Sequence, residues 1–282
     1  MKSGKMNRLI FIDGLPGSGK TVLMKKLKKQ LGEEGIEVLC YGETGINPLD
    51  SSKYAFFTSK EYKDWLNNIL FTYNYNANNK FIKKIINFSE FYGEYVIVPI
   101  TPIVHNCDSP SVVSVLNNRD IHNRHIPFEK FHNINLLRWN RFSKQIVNNN
   151  KTYIFDGSLI QAPIFQLLGF YCMDVNNIEK YVGELIDSVR LFSPTLYYID
   201  VKDVSKLVSN TIKIRSVFSP NWIKGFLRWV NLSPYCRAQG WDGIDGVVSF
   251  LEKRLSLDHT LLKHLKINIQ IRQYKMELFE GE

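Results

Sequence analysis

The sequence predicts an α/β fold of three layers. Its mostly parallel five-stranded sheet has helices on both faces, and a helical insertion and a lid are added to it. Three observations predict this. Residues 9–12 form a short, wholly apolar run that breaks at Asp13-Gly14, the pattern of a strand buried on both faces. Behind it, Leu23, Leu27 and Leu31 recur every four residues while Lys25, Lys26, Lys28 and Lys29 fill the other side, an amphipathic helix that ends near Gly32 and Gly35. The alternation then returns late in the chain. There, strand candidates at 151–155 and 196–201 enclose the helical stripe Ile178, Val182, Leu185, Ile186 and Val189.

The remaining elements follow in order. Residues 36–41 read as the second strand, and strand, helix, strand in this space is a βαβ unit, which calls for a parallel sheet. Residues 58–91, rich in aromatics, Lys and Asn, read as two helices. Residues 95–104 read as extended, with Pro99 and Pro102 arguing against a central strand. Residues 106–127 read as loop, and Phe131, Ile134, Leu137, Phe142 and Ile146 as a helix. A short helix opens at 204–208, and the basic, aromatic stretch 210–240, broken by Pro220 and Pro234, reads as an irregular lid. Val247, Val248, Leu251 and Leu255 mark a last long helix, and 267–271 a final strand. The expectation is one domain over residues 1–282, with an insertion at about 44–127 and the lid at about 210–240.

Composition narrows the function classes. A chain of 282 residues with 44% hydrophobic and 22% charged residues is neither disordered nor fibrous. A formal net charge of +9 suits an anionic partner, although lysines scattered over a solvated surface account for it equally well. No long run of like charge marks a nucleic-acid tail, so no nucleic-acid partner is expected. The four cysteines lack paired spacing, which argues against a zinc site or a disulfide framework and for a reducing cytoplasm. The 9–12 run is too short for a signal-peptide core, and no stretch approaches a membrane span.

The sharpest signal is Gly14-Leu15-Pro16-Gly17-Ser18-Gly19-Lys20-Thr21, which matches G-x-x-x-x-G-K-[ST] at every fixed position. The glycines let the backbone curl so that successive N–H groups face phosphate oxygens. Lys20 is placed for the β- and γ-phosphates, and the Thr21 hydroxyl for magnesium. A strand before the motif and an amphipathic helix after it supply the context that it requires. The expected ligands are ATP or GTP with Mg2+.

From here the chain resembles the thymidylate kinase and deoxynucleoside kinase superfamily, as a divergent member. Four features carry the likeness, in order. Phe11-Ile12-Asp13-Gly14 is similar to that family's strand ending in an acid and a glycine. Tyr41-Gly42-Glu43 stands where those kinases place an acid facing the phosphoryl acceptor. Ile154-Phe155-Asp156-Gly157-Ser158 ends a strand where the family has an acid followed by Arg. Ser193-Pro194-Thr195-Leu196-Tyr197-Tyr198-Ile199-Asp200 is similar to its Pro-x-Leu strand ending in Leu-Asp, with Asp203-Val204 opening the next helix and an arginine-bearing lid beyond. Gly157 and Thr44 depart from the family's Arg and Pro, and residues 44–150 align with nothing in thymidylate kinase. The pattern is also similar to a less characterised set of bacterial proteins with this loop.

The resemblance implies ATP- and magnesium-dependent phosphoryl transfer to a small molecule: a nucleoside or nucleotide first, a related metabolite or antibiotic next. Glu43 is the expected base, against a plain strand-to-loop turn residue. Asp156 is the expected acid that holds magnesium through water, against an Asp-Gly turn. Arg215 leads the lid candidates Lys213, Arg215, Lys224, Arg228 and Arg237. Asp200 reads as structural. His122-x-x-His125 is a weak metal pair, better read as loop or substrate contacts, beside His105 and His132. Tyr62, Trp65, Phe71, Tyr73 and Tyr75 suit stacking on a planar substrate, but core packing explains most of them better. Arg119, Arg124 and Arg138 are candidate contacts to an acceptor phosphate. The rival class is a nucleotide-dependent switch or NTPase that acts on a protein or nucleic acid. A homodimer is left open.

Overall fold

The protein is described by a computed structural model, which covers residues 9–42, 46–76, 78–105, 107–122, 126–218 and 221–274. In chain order the elements are β1 (Leu9–Gly14), α1 (Lys20–Glu33), β2 (Val38–Tyr41), β3 (Tyr54–Thr58), α2 (Ser59–Thr72), α3 (Lys80–Phe88), β4 (Glu90–Tyr92) and β5 (Tyr95–Pro99). Next come α4 (Ile100–Val104), α5 (Pro110–Asn118), α6 (Phe128–Ile146), β6 (Thr152–Asp156), α7 (Gln161–Gly169) and α8 (Val175–Val189). The chain closes with β7 (Thr195–Asp200), α9 (Val204–Phe218), α10 (Trp222–Leu232), α11 (Pro234–Ala238), α12 (Gly243–His264) and β8 (Asn268–Gln273). It divides into two compact units, residues 1–43 with 143–282, and residues 44–142.

The first unit holds a five-stranded sheet in the order β2-β6-β1-β7-β8, and every pairing is parallel. The fold class read from the sequence is therefore the observed one. β6 lies between β1 and β2, so the first and second strands are not neighbours. β1 and β6 are buried along their whole length, which is why their sequences are continuously apolar rather than alternating. Ile10, Ile12 and Ile154 face one side, where Leu23, Leu27 and Leu31 of α1 cover them. On β7, Tyr198 meets α12 through its hydroxyl bond to Asp258. Outside the carboxyl ends of the strands lies the crevice where ligands gather in open parallel sheets.

Most described residues of 210–240 are helical, which corrects the irregular reading. α9 continues to Phe218 and is followed by α10 and α11. Proline misleads here because it starts helices as readily as it breaks them. Pro234 sits in the first turn of α11, behind the capping Ser233. Phe226 and Trp229 of α10 pack against Phe165 and Phe250.

The second unit has its own antiparallel sheet, β3-β5-β4. Two readings are corrected here. β5 is the central strand, because Pro99 is its last residue and Pro102 has moved into α4. Within 106–127 lies a helix, α5, where Ser109 caps and Pro110 follows in the first turn. Ala55, Phe57, Val96 and Val98 pack with α2 and α3 in a core that includes Tyr62, Trp65, Ile82 and Ile85. Tyr54, Tyr92 and Tyr95 receive Arg138, Arg141 and Lys130 of α6 over their rings.

Candidate active site

The phosphate loop leaves β1 at Gly14 and enters α1 at Lys20. Gly17 and Gly19 adopt φ of 84° and 93°, left-handed values that other residues reach only at a cost. Space is equally restrictive: a Cβ on Gly17 would fall 2.0 Å from Thr211 Oγ1, and one on Gly14 2.7 Å from the Ile199 carbonyl. Gly19 caps α1 with no side-chain bond, and the first turn holds no acidic residue. The positive end of a 14-residue helix is thus kept for an anion. Ser18 is fully buried, and its hydroxyl meets no partner among the described residues. Lys20 is also buried and donates from Nζ to the Leu15 carbonyl at 3.1 Å, across the mouth of the loop.

Thr21 Oγ1 donates to Asp156 Oδ2 at 2.7 Å, joining the start of α1 to the end of β6 across 135 residues. This hydroxyl and carboxylate fit a hard cation such as magnesium, which takes few protein oxygens and keeps water and phosphate as its other ligands. Gly157 follows at φ 72°, and its N–H bonds to the Ile12 carbonyl at 2.9 Å. That left-handed turn explains glycine where the resembled family has arginine.

Gly17, Gly19, Lys20, Thr21, Val22, Thr211, Ile214 and Arg215 line a cavity of about 170 Å3. Arg215 alone of the five basic candidates from 210–240 lines it. Its guanidinium lies 4.8 Å from the centre of the Trp222 ring.

Other described sequence candidates fall elsewhere. Glu43, Arg124 and His125 lie outside the described residues. Among the described residues no group of three His, Cys, Asp or Glu is placed to hold a metal ion. Asp200 accepts from Gln273 and pairs with His259 at 2.7 Å, a structural role. Tyr62 and Trp65 are core residues. Burial corrects the acceptor-phosphate candidate Arg138, and Arg119 is engaged within the protein. Arg119 pairs with Glu61 at 3.1 Å, and Arg138 is buried on the Asn47 and Asp50 carbonyls and on Glu90.

The sequence reading missed a buried charge cluster beneath the loop. Arg254 and Asp258 are both wholly buried on α12. Arg254 Nη2 donates to the Gly14 carbonyl at 3.1 Å and to Asp258 Oδ2 at 3.3 Å, and Tyr198 donates to the same carboxylate oxygen at 2.7 Å. Asp13, one residue before the loop, accepts from the Gln161 and Leu159 N–H groups at 2.8 and 3.3 Å. Burial pushes the Asp13 carboxyl up to about 7, against the pull of those bonds and of Arg254 and Lys20. The available signal was two charged residues, four apart, on the apolar stripe Val247, Leu251, Leu261 of a helix.

With this geometry in place, comparisons with known proteins bear on it. No family model matches the chain. The chain is 35% identical over 95 residues to a thymidylate kinase from Buchnera aphidicola subsp. Baizongia pistaciae (strain Bp). The matched stretch is 32% of this chain and spans less than half, 43%, of that relative's length. Among solved structures it is similar to deoxyadenosine kinase from M. mycoides with bound dATP, at 14% identity and a TM-score of 0.40, over 96% of this chain and 93% of that one. The thymidylate kinase side of the resemblance is met by this relative over those 95 residues. The fold itself rests on the sheet order and the loop geometry described above.

Proposed function

We propose that the chain is a phosphotransferase that moves the γ-phosphoryl group of ATP, with magnesium, onto a hydroxyl or phosphate oxygen of a nucleoside, a nucleotide or a related small molecule. The observation that carries this reading is the pairing of a complete phosphate loop with a carboxylate bonded to its terminal hydroxyl, Thr21 to Asp156 at 2.7 Å. Similarity to a thymidylate kinase over about a third of the chain supports the acceptor class.

In this reading the loop N–H groups and Lys20 meet charge on the β- and γ-phosphates, which grows on the bridging oxygen as the bond to the leaving diphosphate breaks. Thr21 Oγ1 and Asp156 would hold magnesium, which would supply neutralisation of the phosphate charge. Glu43 aligns the acceptor hydroxyl and takes its proton as the new O–P bond forms. Arg215 approaches the transferring group from α9 when residues 210–240 close as a lid. The chain is read as a single kinase-like domain over 1–282, with its insertion at about 44–127.

The test is ADP release measured against a panel of nucleosides and nucleotides, with the best acceptor carried into Glu43→Gln. That variant should lose roughly a hundredfold or more of acceptor phosphorylation, the usual range for a general base, while ATP affinity holds. If ATP affinity collapses and turnover per bound ATP stays normal, the role given to Glu43 is wrong.

A further inference from the structure

A phosphate loop works only if its backbone is held rigid, because its ligands are main-chain N–H groups whose direction is set by the turn itself. In this chain the first carbonyl of the loop, that of Gly14, is not left to the loop. Arg254 reaches it from α12, 240 residues away in sequence, at 3.1 Å. The arginine is wholly buried, lies 5.3 Å from the centre of the Phe165 ring and is paired with an equally buried Asp258 that Tyr198 also holds. Burying a cation beneath a site that binds anions is costly unless it does something that an apolar side chain could not. An apolar side chain at this position would leave the Gly14 carbonyl unheld.

We infer that Arg254 is a positioning residue for the triphosphate site. Its Nη2 fixes the Gly14 carbonyl and so the first turn of the phosphate loop, and Asp258 and Tyr198 fix Arg254. The inference rests on the reading of residues 14–21 as a triphosphate cradle and extends it to three residues that touch no ligand. One nitrogen carries both bonds, so its two hydrogens are committed in two directions, to the loop carbonyl and to the carboxylate. Lysine at 254 keeps the positive charge, but its ammonium ends one atom short of the Nη2 position and has no fixed plane to aim two hydrogens. The buried Asp13 carboxyl, on the strand that ends at Gly14, feels the Arg254 charge and holds the turn that follows Asp156.

The experiment is calorimetric titration of the full chain with the magnesium complex of a non-hydrolysable ATP analogue, paired with thermal melting. Arg254→Lys should weaken binding by about tenfold, the equivalent of one charge-assisted hydrogen bond, while the protein stays folded. The apolar replacement Arg254→Met with Asp258→Leu and Tyr198→Phe removes the buried charges together, a change that usually preserves or raises stability. It should melt at or above the wild-type temperature and still bind the analogue about tenfold or more weakly. A purely structural role predicts the reverse, with affinity following stability. Wild-type affinity, within twofold, in either folded variant overturns the inference. A wild-type chain that does not bind the analogue at all overturns the triphosphate reading beneath it.

Discussion

Both compact units bury an arginine, Arg254 in the unit with the phosphate loop and Arg138 in the unit of residues 44–142, and the two do different work. Arg138 lies 4.1 Å over the Tyr54 ring, donates to the Asn47 and Asp50 carbonyls at 2.7 and 2.8 Å, and pairs with Glu90 at 3.4 Å. Those partners are all structural: they pin an irregular stretch against the face of a small sheet. Arg254 makes fewer bonds, but one of them ends on the first residue of the phosphate loop. A buried arginine is therefore no signature of a site by itself. What it holds decides whether losing it costs stability or ligand.

That contrast can be broken by mutation, and the largest effect on stability belongs to Arg138. Arg138→Met takes the buried cation from Glu90, which keeps the Tyr92 hydroxyl, and from two carbonyls, and should lower stability by about 3 kcal/mol in chemical denaturation. Affinity for the ATP analogue in the folded fraction should not change. A parallel loss of affinity would erase the distinction between the two arginines.

Lys20→Ala comes next. It should cost about 3 kcal/mol or more of transition-state stabilisation, on the order of a hundredfold in turnover, with the melting temperature close to wild type. Near-normal turnover in a folded Lys20→Ala protein would remove the phosphate loop from the mechanism.

Gly17→Ala sharpens the same side of the comparison. The new methyl meets both a φ of 84° and the Thr211 side chain, so analogue binding should weaken by about tenfold. Adding Thr211→Ala removes the clash but not the backbone cost, and should recover only part of the loss. Full recovery would show that the backbone conformation of Gly17 is unimportant.

The last effect is a slope against pH. The folded-state pKa of Asp13 is raised by burial from 3.8 to about 7. Its contribution to stability is therefore fully present below about pH 4 and is lost as pH rises through about 7. Melting of the ligand-free wild type should decline across that window more steeply than melting of Asp13→Asn. Parallel curves would mean that Asp13 ionises as an ordinary carboxylate.

The same contrast explains what could be read from the sequence. The phosphate loop was legible because its chemistry is local: residues 14–21 must be contiguous, and the flanking strand and helix advertise themselves by period. Asp156 was legible as a strand-end acid, and its bond to Thr21 gives that reading a geometry. Arg138 was misread because its partners lie 88 and 91 residues away, which no local pattern encodes. Arg254 was missed for the same reason, although its place on an apolar helix stripe was visible. In the fold, the errors came from proline. Pro99 ends a central strand, and Pro110 and Pro234 open helices.

The central claim is transfer to a small acceptor rather than to water or a macromolecule. It is tested most directly by incubating the full chain with magnesium and ATP labelled in the γ-phosphoryl group, together with nucleosides and nucleoside monophosphates, and following the label by mass spectrometry. The account predicts label on a nucleoside or nucleotide with wild-type protein and none with Lys20→Ala. Label appearing only in inorganic phosphate, at a rate set by an added protein or nucleic acid and indifferent to every small acceptor, would contradict it.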